Sequence, residues 1–322
     1  MKCRICGNED RNREHTAREM MIGLKEPFSY FQCGGCDCLQ IADFPDDMSR
    51  FYPATYYSYA RPDRAGAIKS VLLKWRDRYA LFGQGWIGKK LSRKFPREQL
   101  EWLKRLKLTR KSRILDIGCG TGALLYSLRQ QGCEQVLGAD PFVDKDLEYA
   151  NGLRILKRDI HGVEGTWDLV MFHHSFEHMA DPERVLQRTR QLLDPHGVCL
   201  IAVPVVPCYA WEHYGTDWVQ LDAPRHFFLH SVKSMEILAD RCGLMVSEVL
   251  YNSSAFQFWG SEQYRRQIPL RSPQSYAENP AGSIFSDQAI QEFSNRAQDL
   301  NKDGRGDSAV FFLRPQSAQA AA

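Results

Sequence analysis

The sequence lacks any apolar run long enough to cross a membrane, because charged or turn-forming residues interrupt every hydrophobic stretch well before about 20 residues. The opening residues MKCRICGNED also lack the apolar segment of a secretory signal. We therefore expect a cytoplasmic protein without a transmembrane segment. The formal net charge is only +3, which falls short of the concentrated basic surface that binds phosphate backbones, so a nucleic-acid partner is not expected.

What the chain does contain is cysteine, ten residues in 322, and in a reducing cytosol these need an explanation other than disulfides. Four of them form two C-x-x-C pairs, CRIC with Cys3 and Cys6 and CGGC with Cys33 and Cys36. Each pair can present two thiolates to one tetrahedral ion. The spacing predicts a structural Zn²⁺ site in an N-terminal zinc ribbon over residues 1–45. A closed four-thiolate shell leaves no open position for a substrate.

Residues 46–96 are predicted to form a tyrosine-rich connector followed by basic amphipathic helices. Four tyrosines lie between positions 52 and 59, and apolar residues alternate with lysine and arginine between positions 68 and 94. This pattern is typical of a solvated helix packed on one face, and also of a helix that lies on a membrane surface or binds an anionic substrate. A peripheral membrane contact therefore stays open. Three glycines predict a break into two helices: Gly83, Gly85 and Gly88.

Residues 97–251 alternate helical segments with short apolar strands. The strand segments are SRILDIG, QVLGADP, LRILKRDI, WDLVMFHHS and HGVCLIAVP. Strand after helix after strand predicts a doubly wound, mostly parallel α/β sheet. Ser231 is predicted to cap the helix that follows it. A cap or insertion is expected over 252–306, a final edge strand over 307–314 and a disordered tail over 315–322.

The segment ILDIGCGTG places an acid and three glycines at the carboxyl end of the first strand of this sheet, where doubly wound folds bind their ligands. Glycine lets the backbone approach a ligand more closely than any residue with a Cβ. The same glycines, with Asp140 downstream, also satisfy a loose dinucleotide fingerprint, so an NAD enzyme is an alternative. The acid before the glycine turn, the acid ending the second strand and RDI after the third strand favour another cofactor.

With these motifs in this order, residues 97–251 resemble the class I S-adenosylmethionine-dependent methyltransferases, which have a seven-stranded sheet. The resemblance implies that S-adenosyl-L-methionine is the cofactor and that its methionine part is cradled by Asp116, Gly118, Gly120 and Gly122. It implies further that Asp140 holds both ribose hydroxyls. The adenine amino group is assigned to Asp159, with the backbone of Ile160 beside the ring, and His174 is expected to line the cofactor pocket.

Methyl transfer to a hydroxyl requires alignment and a proton acceptor. The stretch QLDAPRHFFLHS follows the fifth strand, and His226 in it is the candidate general base. Asp222 is expected to orient His226 or to accept the proton itself, and Arg225 to hold an anionic group of the acceptor. The apolar tail 227–229 is expected to anchor the loop. A core-facing or capping role for His226 stays open.

A second histidine-rich stretch, HHSFEH, follows the fourth strand and adds His174 and His178 to the catalytic candidates. Its H-x-x-E-H match to a metalloprotease helix is set aside because it lies at a strand end. Some quinone O-methyltransferases carry E-x-x-E-H here and are thought to bind a divalent ion. Because His174 stands in place of their first Glu, we expect Glu177 and His178 to cap and brace the next helix instead.

Taken together, the ribbon, connector, core and histidine-bearing loop resemble methyltransferases of deoxysugar, antibiotic and surface-polysaccharide pathways. The resemblance implies O-methylation of a small-molecule or glycan acceptor. Deoxysugar C-methyltransferases usually carry a tyrosine and paired histidines where this chain has DAPRH, and C-methylation is one alternative. An RNA-base methyltransferase is a second, although the Pro-Pro-aromatic turn often used for that chemistry is missing after the fourth strand. A non-catalytic interaction protein is a third, against which the intact motifs argue.

Overall fold

The computed structural model describes residues 1–52 and 66–316. Tyr56, Tyr57 and Tyr59 of the predicted connector, and residues 317–322 of the predicted tail, lie outside these residues. In chain order the described strands are β1 (Arg13–Arg18), β2 (Pro27–Gln32), β3 (Leu39–Ile41), β4 (Arg113–Ile117), β5 (Gln135–Ala139), β6 (Leu147–Glu148), β7 (Arg154–Leu156), β8 (Trp167–His173), β9 (Leu193–Pro204), β10 (Phe228–Leu229), β11 (Leu244–Tyr251) and β12 (Ser308–Pro315).

The helices described over the same residues carry the numbers α1 to α9. They are α1 (Ala67–Phe82), α2 (Trp86–Lys94), α3 (Glu98–Arg105), α4 (Ala123–Gln130), α5 (Pro182–Leu192), α6 (Tyr209–Tyr214), α7 (Val232–Arg241), α8 (Phe256–Arg265) and α9 (Asp287–Lys302). Within residues 1–52 and 66–316, none of these helices has both the length and the hydropathy that crossing a bilayer requires. The predicted break between α1 and α2 is confirmed at residues 83–85, whereas Gly88 lies inside α2 rather than in the break.

The larger sheet has the strand order β11-β12-β9-β8-β4-β5-β7-β6. Strand β4 pairs in parallel with β5 and with β8, and β5 pairs in parallel with β7. Strand β12 is antiparallel to both β9 and β11. The mostly parallel α/β sheet predicted from the sequence is confirmed. The two-residue strand β6 adds an eighth strand at one edge.

The prediction of an edge strand over 307–314 is wrong in its position. A strand is present, but β12 lies between β9 and β11, and Phe311 pairs with Ile201 on one side and Val249 on the other. Its residues Ala309–Leu313 are all buried. A continuous apolar run without polar alternation is typical of a strand covered on both faces, and this feature of AVFFL marked an interior position.

The described residues fall into two compact units. The first, called the glycine-loop unit, comprises residues 66–173 and 191–198. Its core is the pair β4 and β8, in which Leu115 lies beside Val170 and both are fully buried. Because β4, β5 and β7 are parallel, their carboxyl ends lie at one edge of the sheet. The turns that follow these strands can therefore build one site.

The second unit, called the ribbon unit, comprises residues 1–52, 174–190 and 199–316. A four-stranded antiparallel sheet in it has the order β1-β2-β3-β10. Strand β10 belongs to the stretch QLDAPRHFFLHS, and Phe228 pairs with Gln40. The apolar tail of that stretch is thus confirmed as its anchor. Ser231 also caps α7 as predicted, since its side chain accepts the amide hydrogen of Ser234 at 2.8 Å.

Candidate functional site

The turn after β4 is built around glycines in the left-handed region. Gly118, Gly120 and Gly122 have φ values of 72°, 54° and 78°. A side chain is disfavoured at such φ values, and a Cβ at Gly122 would also lie 2.6 Å from Ile155 Cδ1. These are the glycines to which the sequence assigns the methionine part of the cofactor. The structure places them at the carboxyl end of β4 and directly before α4.

Asp140, at the end of β5, is tied to this turn by two backbone hydrogen bonds. Its Oδ2 accepts from the amide of Gly120 at 2.7 Å, and its Oδ1 accepts from the amide of Phe142 at 2.8 Å. The side chain is buried. These bonds fix the carboxylate while each oxygen keeps a further lone pair. An oriented carboxylate of this kind can accept both hydroxyl hydrogens of a vicinal diol.

Asp116, by contrast, has a buried oxygen without a donor among the described residues. Its side chain is 3% exposed, and Oδ1 has no hydrogen-bond partner. Burial, and secondly the nearby carboxylate of Asp140, raise the pKa of Asp116 to about 8. A cation beside Asp116 would lower that pKa again, because it favours the charged carboxylate. Asp116 and Asp140 together therefore suit a ligand that carries a positive charge and a diol.

The turn after β7 carries two more of the predicted cofactor residues, Asp159 and Ile160, whereas His174 follows β8. The Oδ1 atom of Asp159 accepts from the amides of His161 and Gly162 at 3.0 and 3.2 Å, while Ile160 is buried. Sequence reasoning missed Phe142, whose ring is 69% exposed two residues after Asp140. The signal for it in the sequence was an aromatic residue directly after the segment Ala139-Asp140-Pro141. An exposed ring beside a diol-binding acid is a surface on which a flat base can stack.

The four predicted metal ligands in the ribbon unit come together in one cluster. The Sγ atoms of Cys3 and Cys36 are 3.6 Å apart, and those of Cys6 and Cys33 are 3.5 Å apart. Tetrahedral Zn²⁺ with bonds of about 2.3 Å would set the sulfurs about 3.8 Å apart. The first cysteine of each pair also accepts amide hydrogen bonds from the residues two and three positions later, at 3.3–3.5 Å. The donor set therefore fits a four-thiolate zinc site.

A second group of side chains in the ribbon unit consists of Glu177, His178 and His226, here called the acid–histidine cluster. One potential ligand atom from each residue lies within 4.8 Å of the others. The Nδ1 of His226 is 2.8 Å from the carbonyl oxygen of Gln220, and that of His178 is 2.8 Å from the carbonyl oxygen of Arg225. Each Nδ1 must therefore carry the hydrogen, so that in the neutral form of either imidazole Nε2 is the acceptor.

Glu177 adds an acid to these two acceptors. Its side chain is fully buried, and neither carboxylate oxygen has a well-formed hydrogen bond among the described residues. The nearest nitrogens are His174 Nδ1 at 3.5 Å and His226 Nε2 at 3.8 Å. Burial raises the pKa of Glu177, but the facing imidazoles of His174, His178 and His226 outweigh it and lower the pKa to about 2. The acid–histidine cluster thus brings three acceptor groups close together, and it can bind a proton or a cation.

Two local predictions need correction. Glu177 and His178 do not cap α5, since Glu177 faces His174 and His226, and His178 binds a carbonyl oxygen of the QLDAPRHFFLHS stretch. Asp222 does not orient His226 through a hydrogen bond, because Oδ2 lies 3.8 Å from Nε2 while Nδ1 is held by Gln220. The backbone φ is positive at His174 (51°) and at Asp222 (40°). Such strain often marks functional segments.

Arg225 lies in a different environment from the one predicted. Its side chain has no exposed surface, so it does not face an anionic acceptor. Nη2 is 2.9 Å from Glu19 and 2.6 Å from Asp222, and Nε donates to Asp222 at 2.9 Å. Glu19 also accepts three amide hydrogens of the segment 22–24. We therefore assign Arg225 a structural role: through Glu19, it connects the QLDAPRHFFLHS stretch with the predicted zinc ribbon, residues 1–45.

Comparison with known proteins gives a family match whose residues include the glycine loop and its acids. A family profile described as a methyltransferase domain matches residues 89–249, half of the chain. A ubiquinone biosynthesis O-methyltransferase from Bordetella avium (strain 197N) is 28% identical over 158 residues, 44% of this chain and 65% of that protein. One from Cereibacter sphaeroides (strain ATCC 17029 / ATH 2.4.9) is 32% identical over 125 residues, 35% of this chain and 50% of that protein. The chain thus spans between half and two thirds of these curated relatives.

Among solved structures, the cyclopropane synthase MmaA2 from Mycobacterium tuberculosis aligns with 78% of this chain and 99% of its own length, with a TM-score of 0.40 and 17% identity. The family assignment rests on the profile match. Its matched residues contain the glycine turn, Asp116 and Asp140, whose geometry suits a cation and a diol. The chain belongs to the methyltransferase domain family, and residues 89–249 form its class I S-adenosylmethionine-dependent methyltransferase domain.

Proposed function

We propose that this enzyme methylates a hydroxyl oxygen of a small-molecule or sugar acceptor in glycan or secondary-metabolite biosynthesis. The observation that carries the proposal is the acid–histidine cluster, because a hydroxyl must lose its proton when its oxygen is methylated. The relatives from Bordetella avium and Cereibacter sphaeroides are O-methyltransferases, which supports formation of an O-methyl bond. Sugar C-methylation and RNA-base methylation remain the alternatives, and neither is favoured by a specific feature of the cluster.

The residues of the glycine loop fit the cofactor by charge and by hydrogen-bonding capacity. When bound, S-adenosylmethionine supplies a methyl group on a sulfonium sulfur. We assign its ammonium group to Asp116, whose buried oxygen lacks a donor among the described residues. The ribose diol is assigned to Asp140 and the adenine ring to Ile160 and Phe142, with the exposed ring of Phe142 as the stacking surface.

Replacement of Asp140 by alanine is expected to weaken S-adenosylmethionine binding at least about 100-fold, since two charge-assisted hydrogen bonds are lost together. The loop is also loosened, because Asp140 holds the amide of Gly120. Isothermal titration calorimetry with the cofactor measures the change. Asp144→Ala, an exposed acid after the same strand, is the control and should bind as wild type. Equal affinity of Asp140→Ala and wild type would remove the ribose assignment.

His226 is the proposed general base. Its Nδ1 hydrogen is held by the carbonyl of Gln220, so Nε2 keeps the lone pair that accepts the hydroxyl proton. Burial lowers the pKa of His226 to about 4, although Asp222 and Glu177 favour the charged form. The imidazole is therefore neutral near pH 7 and is ready to accept a proton. Glu177 is placed to stabilise the imidazolium that forms, at 3.8 Å from Nε2.

The pH profile of kcat should reflect this lowered pKa. Because His226 stays unprotonated down to about pH 5, we expect kcat to be level between pH 6 and 8 and to fall as the pH drops toward about 4. His226→Gln should lower kcat about 100-fold. His196→Gln changes an exposed histidine and is the control. An acid limb centred near pH 6.5, or a loss of less than threefold in His226→Gln, would contradict the assignment.

A divalent cation is the second candidate for activating the hydroxyl. The observation that favours it is the buried carboxylate of Glu177, whose oxygens lack well-formed donors among the described residues, beside two imidazole acceptors. Metal content by mass spectrometry distinguishes the two candidates. A cation at the cluster adds one equivalent to that of the four cysteines, and Glu177→Gln would lose only that equivalent. Equal metal content in both proteins leaves the base as the sole proposal.

The bond that is formed can be tested without knowing the natural acceptor. We expect the purified enzyme to transfer isotopically labelled methyl from S-adenosylmethionine to members of a panel of nucleotide sugars, free sugars and phenols. Nuclear magnetic resonance of the product separates O-methyl from C-methyl by chemical shift. A C-methyl product, or methyl transfer to RNA alone, would overturn the proposal of O-methylation while leaving the family assignment intact.

A further inference from the structure

Helices α1 and α2 form a hairpin with a strongly positive surface, here called the basic hairpin (residues 67–94). Helix α1 exposes Lys69, Lys74 and Arg78. Helix α2 exposes four more cations on a single face: Lys89, Lys90, Arg93 and Lys94. Across the part of the chain that the structure describes, no carboxylate lies within ion-pair distance of these seven side chains. The basic hairpin therefore concentrates positive charge in a protein whose net charge is only +3.

The one acid of the basic hairpin does not offset this charge. Asp77 is buried, and its two oxygens lie 2.8 Å from Arg76 and 2.9 Å from Arg97. Asp77 therefore neutralises other guanidinium groups and belongs to the packing of α1.

The same surface exposes large apolar side chains. Trp86 is 71% exposed and Trp75 is 42% exposed, and Val71, Leu72 and Phe95 are exposed as well. Trp86 lies on the cationic face of α2, at the spacing i, i+3, i+4, i+7 with its lysines and Arg93. Exposed tryptophans and aliphatic residues among lysines and arginines are typical of surfaces that enter the boundary between lipid headgroups and acyl chains.

The packing between the two helices holds this surface in place. A Cβ at Gly88 would lie 2.3 Å from the carbonyl oxygen of Trp75, so only glycine permits this close approach of α2 to α1. Trp75, Arg78 and Trp86 line one shallow cavity of about 340 Å³ at the corner of the hairpin. The two tryptophans therefore lie on the same side of the molecule as part of a defined surface.

We propose that the basic hairpin docks on the surface of an anionic lipid bilayer, with Trp75 and Trp86 in the headgroup region and the seven cations against the lipid charges. Electrostatic attraction alone would also suit a nucleic acid. The exposed apolar residues favour lipid, because they gain stability only where acyl chains are within reach. Helices of 16 and 9 residues are expected to lie in the interface plane rather than cross it.

Flotation of the full chain with vesicles tests this docking. We expect wild type to bind vesicles of phosphatidylcholine with 30% phosphatidylglycerol and to be released by high salt, and to bind vesicles of phosphatidylcholine alone at least about tenfold more weakly. Replacement of the four α2 cations by glutamine should weaken binding to the anionic vesicles about 100-fold. Trp75→Ser with Trp86→Ser should weaken it about tenfold at unchanged net charge.

The matched control changes four other exposed cations to glutamine: Lys145, Arg266, Lys302 and Arg314. They lie outside the hairpin, and their replacement removes the same charge. It should bind the vesicles within twofold of wild type. An equal loss of vesicle binding in the control and the α2 variant would show that binding depends on net charge alone, and it would overturn the proposal. Tighter binding to RNA than to anionic vesicles, or a dimer that the tryptophan variant abolishes, would assign the surface to those partners instead.

Discussion

Cys6→Ser with Cys33→Ser is expected to abolish zinc binding and to unfold the ribbon segment. We propose Zn²⁺ as the ion of the four-cysteine cluster, because sulfurs of the two C-x-x-C pairs lie 3.5–3.6 Å from each other and accept the amide hydrogen bonds of such sites. Structural zinc contributes on the order of 10 kcal/mol or more to the folding of small metal-bound modules. A whole domain has a free energy of unfolding of only about 5–15 kcal/mol.

The loss should extend beyond residues 1–45. Strand β10 pairs with β3, and the hydroxyl of Ser231 donates to the carbonyl oxygen of Cys36 at 2.5 Å. Since Phe228 and Ser231 follow His226 closely, we expect amide protons over 226–231 to lose protection together with those of β3. Hydrogen exchange read by mass spectrometry measures both segments, and elemental analysis should find one zinc in wild type and none in the variant.

Cys38→Ala is the matched control, because Cys38 is buried and lies two residues after Cys36 but outside the cluster. It should keep its zinc and lose only about 1 kcal/mol of the free energy of unfolding. A double serine variant that retains zinc, or a metal-free protein with wild-type exchange over 226–231, would contradict a structural role for the ion.

Structural features that depend on residues adjacent in the chain could be predicted from the sequence. The turn DIGCGTG, the C-x-x-C pairs and the cap at Ser231 each depend on neighbours a few positions apart, and local backbone preference determines them. The alternation of helices and strands likewise follows from hydrophobic periodicity. These local signals were enough to predict the parallel sheet and the family resemblance.

Features that depend on distant partners were not predictable. Arg225 pairs with Glu19 across 206 positions, and no local pattern marks either as a partner of the other. Strand β10 was not predictable for the same reason, because its two residues form a strand only through their pairing with β3. The sequence predicts that Glu177 braces the next helix, because His174 stands in place of the first Glu of E-x-x-E-H, whereas in the structure its carboxylate turns toward His226. A sequence reveals which residues carry charge, but the burial of that charge depends on tertiary contacts.

The buried charge of Arg225 leads to the second large expected effect. Arg225→Met should lower the free energy of unfolding by about 3–5 kcal/mol, because it leaves Glu19 and Asp222 as buried carboxylates without their cation. Chemical denaturation of wild type and variant measures the difference. Arg266→Met is the control, since Arg266 is exposed and lies 3.7 Å from Glu262, and it should cost less than about 1 kcal/mol.

The pH dependence of Arg225→Met separates lost charge pairing from lost packing. Burial raises the pKa of Asp222, but Arg225 outweighs it and lowers the pKa in the wild type. Without the guanidinium, burial is opposed only by the smaller effects of His226 and His178, so we expect the pKa of Asp222 to rise above its unfolded value. The folded variant then binds protons more tightly than its unfolded chain, and its stability should fall as the pH rises from 5 to 8. Arg225→Lys restores a cation and should recover part of the loss. A penalty that is equal at pH 5 and pH 8 would show that Arg225 acts by packing alone. In that case the assignment of Arg225 as the charged connection between the histidine-bearing loop and the ribbon would be wrong.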